Sequence, residues 1–184
     1  MAIGIQTKKA PARYDLGASK FFGTPTIPED WAEDFGDDEI FFCQLRLADV
    51  APLDKENRLP QTGYLYVFLH TGDGEYHLRA DVRYFDGEPS LALDGFNDAV
   101  EGYEKYEDAY LMSFSEVPDT ADGTRLFGVP SDWCYGEEPP RLLLQYDPLE
   151  GDMGFLDHLD GYLYLFLGED GADLTQVTLR TEYS

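Results

Sequence analysis

The sequence predicts an α+β, β-rich fold, built largely from antiparallel sheets and with one amphipathic helix near residues 94–110. Most apolar runs are four to eight residues long and are bounded by Gly, Pro or Asp clusters, which is typical of strands. The stretch GYLYVFLH, residues 63–70, returns as GYLYLFLG, residues 161–168, with six of eight positions identical. Residues 94–110 instead repeat their aromatic side chains at three- and four-residue steps. These observations together favour a β-rich domain with a single helix.

The N-terminal residues 1–20 are expected to form a basic, poorly ordered arm. They contain Lys8, Lys9, Arg13 and Lys20 and show little periodicity. The single folded domain is therefore predicted over residues 21–184, a length that can bury a sizeable core.

The first strands follow from apolar patterning. Ile40–Leu47 is predicted to be a strand with its odd-numbered apolar residues on one side. In HLRADVRYF, residues 77–85, apolar and polar residues alternate from 77 to 84, which is typical of a strand with one face in water. Later strands are predicted at 111–114, 141–146, 161–167 and 176–183.

The helix is predicted from residues on one face of a 3.6-residue period, with Asp94 near its start. Gly102 disfavours a helix at its centre. The apolar positions are Phe96, Val100, Tyr103, Tyr106 and Tyr110.

Four landmarks occur twice in the same order, which predicts an internal duplication. The offsets between the copies are 105, 102, 101 and 98 residues, so the second copy has shorter loops. We expect residues 22–70 and 127–168 to be two strand–loop–strand units related by a pseudo-twofold axis. The landmarks are Phe22–Pro25 with Phe127–Pro130, Trp31 with Trp133, Phe41–Gln44 with Leu142–Gln145, and Gly63–Tyr66 with Gly161–Tyr164.

The repeated strands suggest candidate ligand residues. Tyr66 and Tyr164 belong to aromatic strand faces that are either core or the lining of a groove between the copies. Gln44 and Gln145 each follow three apolar residues, where a buried amide needs partners. They are expected either to organise irregular backbone or to bind a ligand together with the two tyrosines.

At these landmarks the sequence resembles the YwqG-like family, a bacterial group without an assigned function. The similarity covers roughly residues 22–70 and 126–181 and includes "GTPTIPEDW", "FFCQLRLADV", "LFGVP", "LLLQYD" and "DGYLYLFL". Family members often have Trp-Gly-Asp before the glycine matched by Gly161, whereas this chain has "LDHLDG". The resemblance implies a bacterial cytoplasmic α+β protein. It also suggests an immunity role, because relatives occur near secreted-toxin genes.

Charge narrows the partners that the protein is expected to bind. The chain has a formal charge of −24, and residues 21–184 contain 9 basic and 36 acidic groups, a net of −27. Such a surface repels nucleic acid and anionic lipid and attracts a basic protein, although simple solubility also explains it. Two cysteines and the absence of a leader or a long apolar segment predict a reducing cytoplasm.

No catalytic motif, cofactor site or metal site is predicted from the sequence. Sequences typical of nucleotide-binding loops, serine-hydrolase elbows and zinc-protease helices do not occur. His70 and His77 flank a hairpin turn with Asp73 and Glu75 nearby, and they are the candidates for a transition metal, the alternative being ordinary strand-end histidines. His158 lies between acidic residues and has no nucleophile tied to it.

The expected function is therefore that of a non-catalytic acidic binding protein, of the toxin-immunity kind or with another basic partner. The alternative is a small-molecule binder or an unrecognised enzyme with a groove between the two copies.

Overall fold

Twelve strands account for most of the regular structure in the part of the chain that is described. The structure is a computed structural model and describes residues 1–72, 78–133, 138–159, 161–168 and 173–181. The strands are β1 Ala2–Lys9, β2 Lys20–Phe21, β3 Thr26–Ile27, β4 Glu39–Arg46, β5 Tyr64–His70, β6 Arg79–Phe85, β7 Leu91–Ala92, β8 Tyr110–Val117, β9 Arg125–Leu126, β10 Leu142–Tyr146, β11 Leu163–Phe166 and β12 Thr178–Thr181. One α-helical turn covers Leu47–Val50, and 3-10 turns cover Glu29–Trp31, Phe96–Ala99, Glu104–Glu107 and Leu174–Gln176.

Ten of these strands form one antiparallel sheet in the order β12-β11-β10-β9-β1-β8-β2-β4-β5-β6, and β3 pairs with β7 in a small second sheet. The large sheet curls into a nearly closed barrel, so that its two edge strands, β6 and β12, approach each other. An incomplete closure of this kind leaves a seam between the first and the second half of the chain.

The first twenty residues contain a central strand rather than the predicted poorly ordered arm. β1 pairs with β8 along its whole length, from Ala2 opposite Val117 to Lys9 opposite Tyr110. Ile3 and Ile5 are buried in the core at 0% and 2% exposure. Burial of this apolar face outweighs the charge of the flanking lysines, which stay at the strand's outer end.

The segment 94–110 is not the continuous helix that its periodicity predicts. It forms two 3-10 turns with extended backbone at Val100 between them (φ −109°, ψ 116°). Gly102 follows at φ +88°, a left-handed conformation that glycine adopts readily. The buried side chains of Tyr103 and Tyr106 still point into the core, so three- and four-residue spacing fits successive turns as well as a helix.

Apolar alternation correctly predicts the two faces of β5 and β11. Leu65, Val67 and Leu69 of β5 pack in the barrel interior, whereas its aromatic residues pack in a separate outer cluster. The same division holds in β11, where Tyr164 and Phe166 pack outside. Both strands are therefore covered on both faces, as strands without a polar face require.

The predicted faces of β4 are wrong at Phe41, because the strand contains a β-bulge. Its register with β5 shifts between Phe41 and Cys43, so Phe41 packs outside while Phe42, Cys43 and Leu45 pack inside. The extra residue of a bulge inverts the alternation from that point onward. β10 has a register shift in the matching place, between Leu142 and Leu144.

Within the described residues, no helix has the length and apolar character needed to span a lipid bilayer.

Candidate functional site

Gln44 is completely buried and ties two loops to the first half of the sheet. Its Oε1 accepts hydrogen bonds from Thr26 N at 3.1 Å and from Thr26 Oγ1 at 3.3 Å. Its Nε2 donates to Leu16 O at 2.9 Å and to Ala18 O at 3.0 Å. Lys20, the strand neighbour of Gln44 on β2, also donates its Nζ to Leu16 O.

Gln145 occupies the corresponding place in the second half. Its Oε1 accepts from Ser131 N at 2.9 Å and from Arg125 Nη2 at 3.2 Å. Its Nε2 donates to Gly123 O at 2.9 Å and to Ser131 Oγ at 3.1 Å. Each amide therefore has its hydrogen-bonding groups engaged by loop atoms, and a ligand would have to displace those loops to reach it.

The predicted tyrosines are the cross-strand neighbours of the two glutamines. Tyr66 lies opposite Gln44, and Tyr164 lies opposite Gln145. Tyr164 donates its hydroxyl to Ser131 O, whereas the buried hydroxyl of Tyr66 has no hydrogen-bond partner among the described residues. Burial raises the pKa of Tyr66, so its phenol stays protonated. The structure thus brings the four residues together as two separate pairs.

Two cavities between the two halves of the chain lie at the barrel seam. A cavity of about 440 Å³ lies between β6 and the turn Leu174–Gln176, and a second of about 470 Å³ lies between β6 and β12. Val82, Tyr84 and Leu174 give the first of these an apolar wall. Neither Gln44, Gln145, Tyr66 nor Tyr164 lines either cavity.

Two acidic segments lie side by side on the outer face of the first half, and we call them together the acidic face. The segments 29–38 and 94–108 meet where Phe35 packs edge-to-face on Phe96, with ring centroids 5.1 Å apart. Each segment exposes six carboxylates. They are Glu29, Asp30, Glu33, Asp34, Asp37 and Asp38 in the first, and Asp94, Asp98, Glu101, Glu104, Glu107 and Asp108 in the second.

Few cations offset this charge. Among the described residues, ion pairs reach Asp34 from Arg83 and Asp108 from Lys9. The imidazole of His70 lies 3.8 Å from Asp38 and forms an ion pair with it only when protonated. Desolvation raises the pKa of Glu107, and the charges of Asp98 and Asp94 raise it further. The contribution of Asp98 and Asp94 is the repulsion expected between neighbouring carboxylates.

A smaller cluster lies at the end of the same face, where β4 begins and β5 ends. Glu39 and His70 are directly paired in the sheet, and Asp81 lies on the next strand. One potential ligand atom from each of these three residues lies within 4.8 Å of the other two. His77, Asp73 and Glu75, named with His70 in the sequence-based metal hypothesis, fall outside the described residues.

Sequence reasoning missed Glu39 and Asp81 as neighbours of His70. Both residues are in strands, and only strand pairing brings them together from positions 31 and 11 residues away. The sequence offered one signal, an acidic residue directly before the apolar run of residues 40–43, because acidic side chains are seldom buried.

Three other side chains capable of chemistry lie elsewhere in the sequence, two cysteines and one histidine. Burial raises the pKa of Cys43 far above that of a free thiol, so the thiol is protonated and unreactive. His158 is exposed on a loop of the second half. Cys134 falls outside the described residues.

The chain matches no model of a known protein family and no curated protein in sequence comparisons.

Proposed function

We propose that this protein is a non-catalytic binding protein whose acidic face docks a basic protein partner. The observation that supports it most directly is the juxtaposition of twelve exposed carboxylates, of which only Asp34 and Asp108 form ion pairs with an arginine or a lysine among the described residues. A secreted toxin is one class of partner that fits, in line with the resemblance to the YwqG-like family.

The physical basis of the proposal is long-range attraction. A patch of like charges raises the local concentration of an oppositely charged partner and accelerates its association, and salt screens the effect over about 8–10 Å. Repulsion among neighbouring carboxylates, as at Glu107, is relieved when a cationic partner binds. Relief of this repulsion therefore adds to the favourable free energy of binding.

We also propose that the domain arose by duplication of a four-strand unit. The sheet order places β2-β4-β5-β6 and β9-β10-β11-β12 on opposite sides of the β1–β8 pair. Matching bulges support this, as do the left-handed conformations of Phe22 (φ 53°) and Phe127 (φ 63°). The strand registers are consistent with a pseudo-twofold axis that passes near the Gln6–Ser113 pair.

The experiment compares two charge variants of equal size. One removes three carboxylates from the acidic face (Glu29→Gln, Glu33→Gln and Glu101→Gln), and the control removes three exposed carboxylates from the second half (Glu138→Gln, Asp152→Asn and Asp157→Asn). Association with a labelled 15-residue Lys/Gly peptide is followed by stopped-flow fluorescence at low and high salt. In parallel, each variant is used as bait in the native host.

We expect the wild-type association rate to fall about tenfold or more as salt rises. The face variant should associate several-fold more slowly than the wild type and should lose a partner of high isoelectric point, whereas the control keeps both. Equal losses in the two variants would mean that total charge, and not this face, governs binding, and the proposal would fail.

Binding of a small molecule is the second candidate function, because the seam contains a cavity. The 440 Å³ cavity is of the size that holds small ligands and combines Val82, Tyr84 and Leu174 with the polar groups of Arg58 and Thr175. A Val82→Trp variant fills it. If the chain binds a metabolite there, a metabolite screen by ligand-observed NMR should give hits that disappear in this variant.

A further inference from the structure

We propose that Glu39, His70 and Asp81 form a binding site for one divalent transition-metal ion. The site lies where β4 begins and β5 ends. Metal binding there is a separate function from protein docking on the acidic face. It offers one imidazole nitrogen and two carboxylates, a donor set suited to Zn²⁺ or Mn²⁺.

Glu39 supplies the observation that points to a cation. The residue is 6% exposed, and its Oε1 accepts a hydrogen bond from Gly36 N at 3.1 Å. Its Oε2 is buried and has no hydrogen-bond partner among the described residues. A buried carboxylate oxygen without a donor is costly, because ionised groups lose their hydration on burial. A bound cation would supply the missing partner.

The imidazole of His70 lies among carboxylates without forming a hydrogen bond to them. Its Nδ1 is 4.0 Å from Glu39 Oε1 and 3.8 Å from Asp38 Oδ2, both beyond hydrogen-bond length. Two ligand atoms that bind one ion at about 2.1 Å are separated by about 3–4.2 Å, depending on the angle at the metal. The spacing therefore suits an ion between the groups better than direct contact.

Asp81 completes the set from the third strand. Its Oδ2 accepts from Arg83 Nε at 2.6 Å, which fixes the carboxylate and leaves Oδ1 for a metal. Two arginines lie in this region. Arg83 is also 3.5 Å from Asp34 and lies over the ring of Phe35, so two acids share its charge. Arg79 is paired with His70 across the sheet, and it is exposed and lines the same cavity as His70 and Asp81.

An ion and its water ligands can reach the cluster. The cavity between β6 and β12, about 470 Å³ in volume, is lined by both His70 and Asp81. The neighbouring carboxylates of the acidic face raise the local cation concentration at its mouth.

The test titrates ZnCl₂ and MnCl₂ separately into the full-length, untagged protein by isothermal calorimetry, with Mn²⁺ paramagnetic resonance to count bound ions. The variants are Glu39→Gln, Asp81→Asn and His70→Gln, and the matched control is His158→Gln at the exposed histidine of the second half. Thermal unfolding with and without metal is recorded for each, so that a folding defect is recognised separately from a binding defect.

We expect one ion per chain with a Kd of about 10 µM or tighter for at least one of the two metals. Each cluster variant should weaken binding at least tenfold, and His158→Gln should leave it unchanged. Glu39→Gln should also raise the melting temperature of the metal-free protein, because it replaces a buried carboxylate whose Oε2 has no hydrogen-bond donor among the described residues. A Kd weaker than about 100 µM for both metals, or binding that survives in Glu39→Gln, would overturn the proposal. The charge variants of the acidic face leave all three ligands in place, so either proposal can fail without the other.

Discussion

The two buried amides, Gln44 and Gln145, have nearly the same surroundings but different cationic neighbours. Each binds the backbone N–H of the hydroxyl residue that follows a proline, Thr26 in one half and Ser131 in the other. Each pairs across the sheet with a buried cation, which is Lys20 beside Gln44 and Arg125 beside Gln145. The difference between the halves is thus concentrated in one pair of side chains.

Arg125 and Lys20 illustrate how differently the two cations tolerate burial. Arg125 keeps its charge and donates to three backbone carbonyls, those of Ala121, Phe127 and Val129. Lys20 has a single backbone acceptor, Leu16 O, and burial lowers its pKa to about 7. A guanidinium must find acceptors, whereas an ammonium can instead release its proton. The second half is therefore held by the permanently charged side chain of Arg125, whereas the first half is held by Lys20, whose charge depends on pH.

The largest expected effect comes from removing the permanent charge. Arg125→Met should lower the free energy of unfolding by about 3–5 kcal/mol, because it leaves several buried carbonyls without donors. Lys20→Met should cost at most about 1 kcal/mol at pH 7, because the protein loses one hydrogen bond and a partly neutral amine. Urea unfolding of both variants measures the difference. Equal losses in the free energy of unfolding would mean that Arg125 and Lys20 stabilise the protein to the same extent, contrary to this prediction.

The amides themselves should have an intermediate and similar effect in both halves. Gln44→Leu and Gln145→Leu each leave one backbone N–H and one backbone carbonyl without the partner that the amide provides, which should cost about 2–3 kcal/mol. Gln6→Leu, at an exposed position of β1, is the control and should change stability by no more than about 0.5 kcal/mol. If one of the two buried variants behaved like this control, the proposed equivalence of the halves would not hold energetically.

The smallest expected effect is a pH dependence specific to the first half. The pKa of Lys20 is about 7 in the folded protein and ordinary, near 10.5, in the unfolded chain, so between these values the unfolded chain binds more protons. The free energy of unfolding therefore rises with pH in this window. The contribution of Lys20 to it is least favourable below pH 7. Between pH 7 and 8.5 the wild type should gain about 1–2 kcal/mol relative to Lys20→Met.

Parallel stability curves for the wild type and Lys20→Met over this range would show that Lys20 keeps an ordinary pKa. The paired measurement is needed because both proteins share every other titrating group, including Cys43, whose pKa burial raises.

Sequence patterning located the apolar strands but not their irregularities. The alternation in residues 64–69 correctly separated the aromatic face of β5 from its aliphatic face, because side chains of a strand point to opposite sides in turn. The bulge after Phe41 inverts the faces of β4, and nothing in the local apolar pattern marks it. The same local view assigned β1 to an arm, because its partner β8 lies about a hundred residues away.

For the candidate sites too, the sequence determined some features and the tertiary structure determined others. The amino-acid order alone established the excess of carboxylates, the repeated landmarks and the two buried-looking glutamines, because each depends only on composition or on near neighbours. Tertiary structure decided that the glutamines hold loops, that the two acidic segments adjoin through Phe35 and Phe96, and that Glu39 and Asp81 flank His70. These outcomes depend on strand register and on the curling of the sheet, which bring distant residues together and which no local spacing encodes.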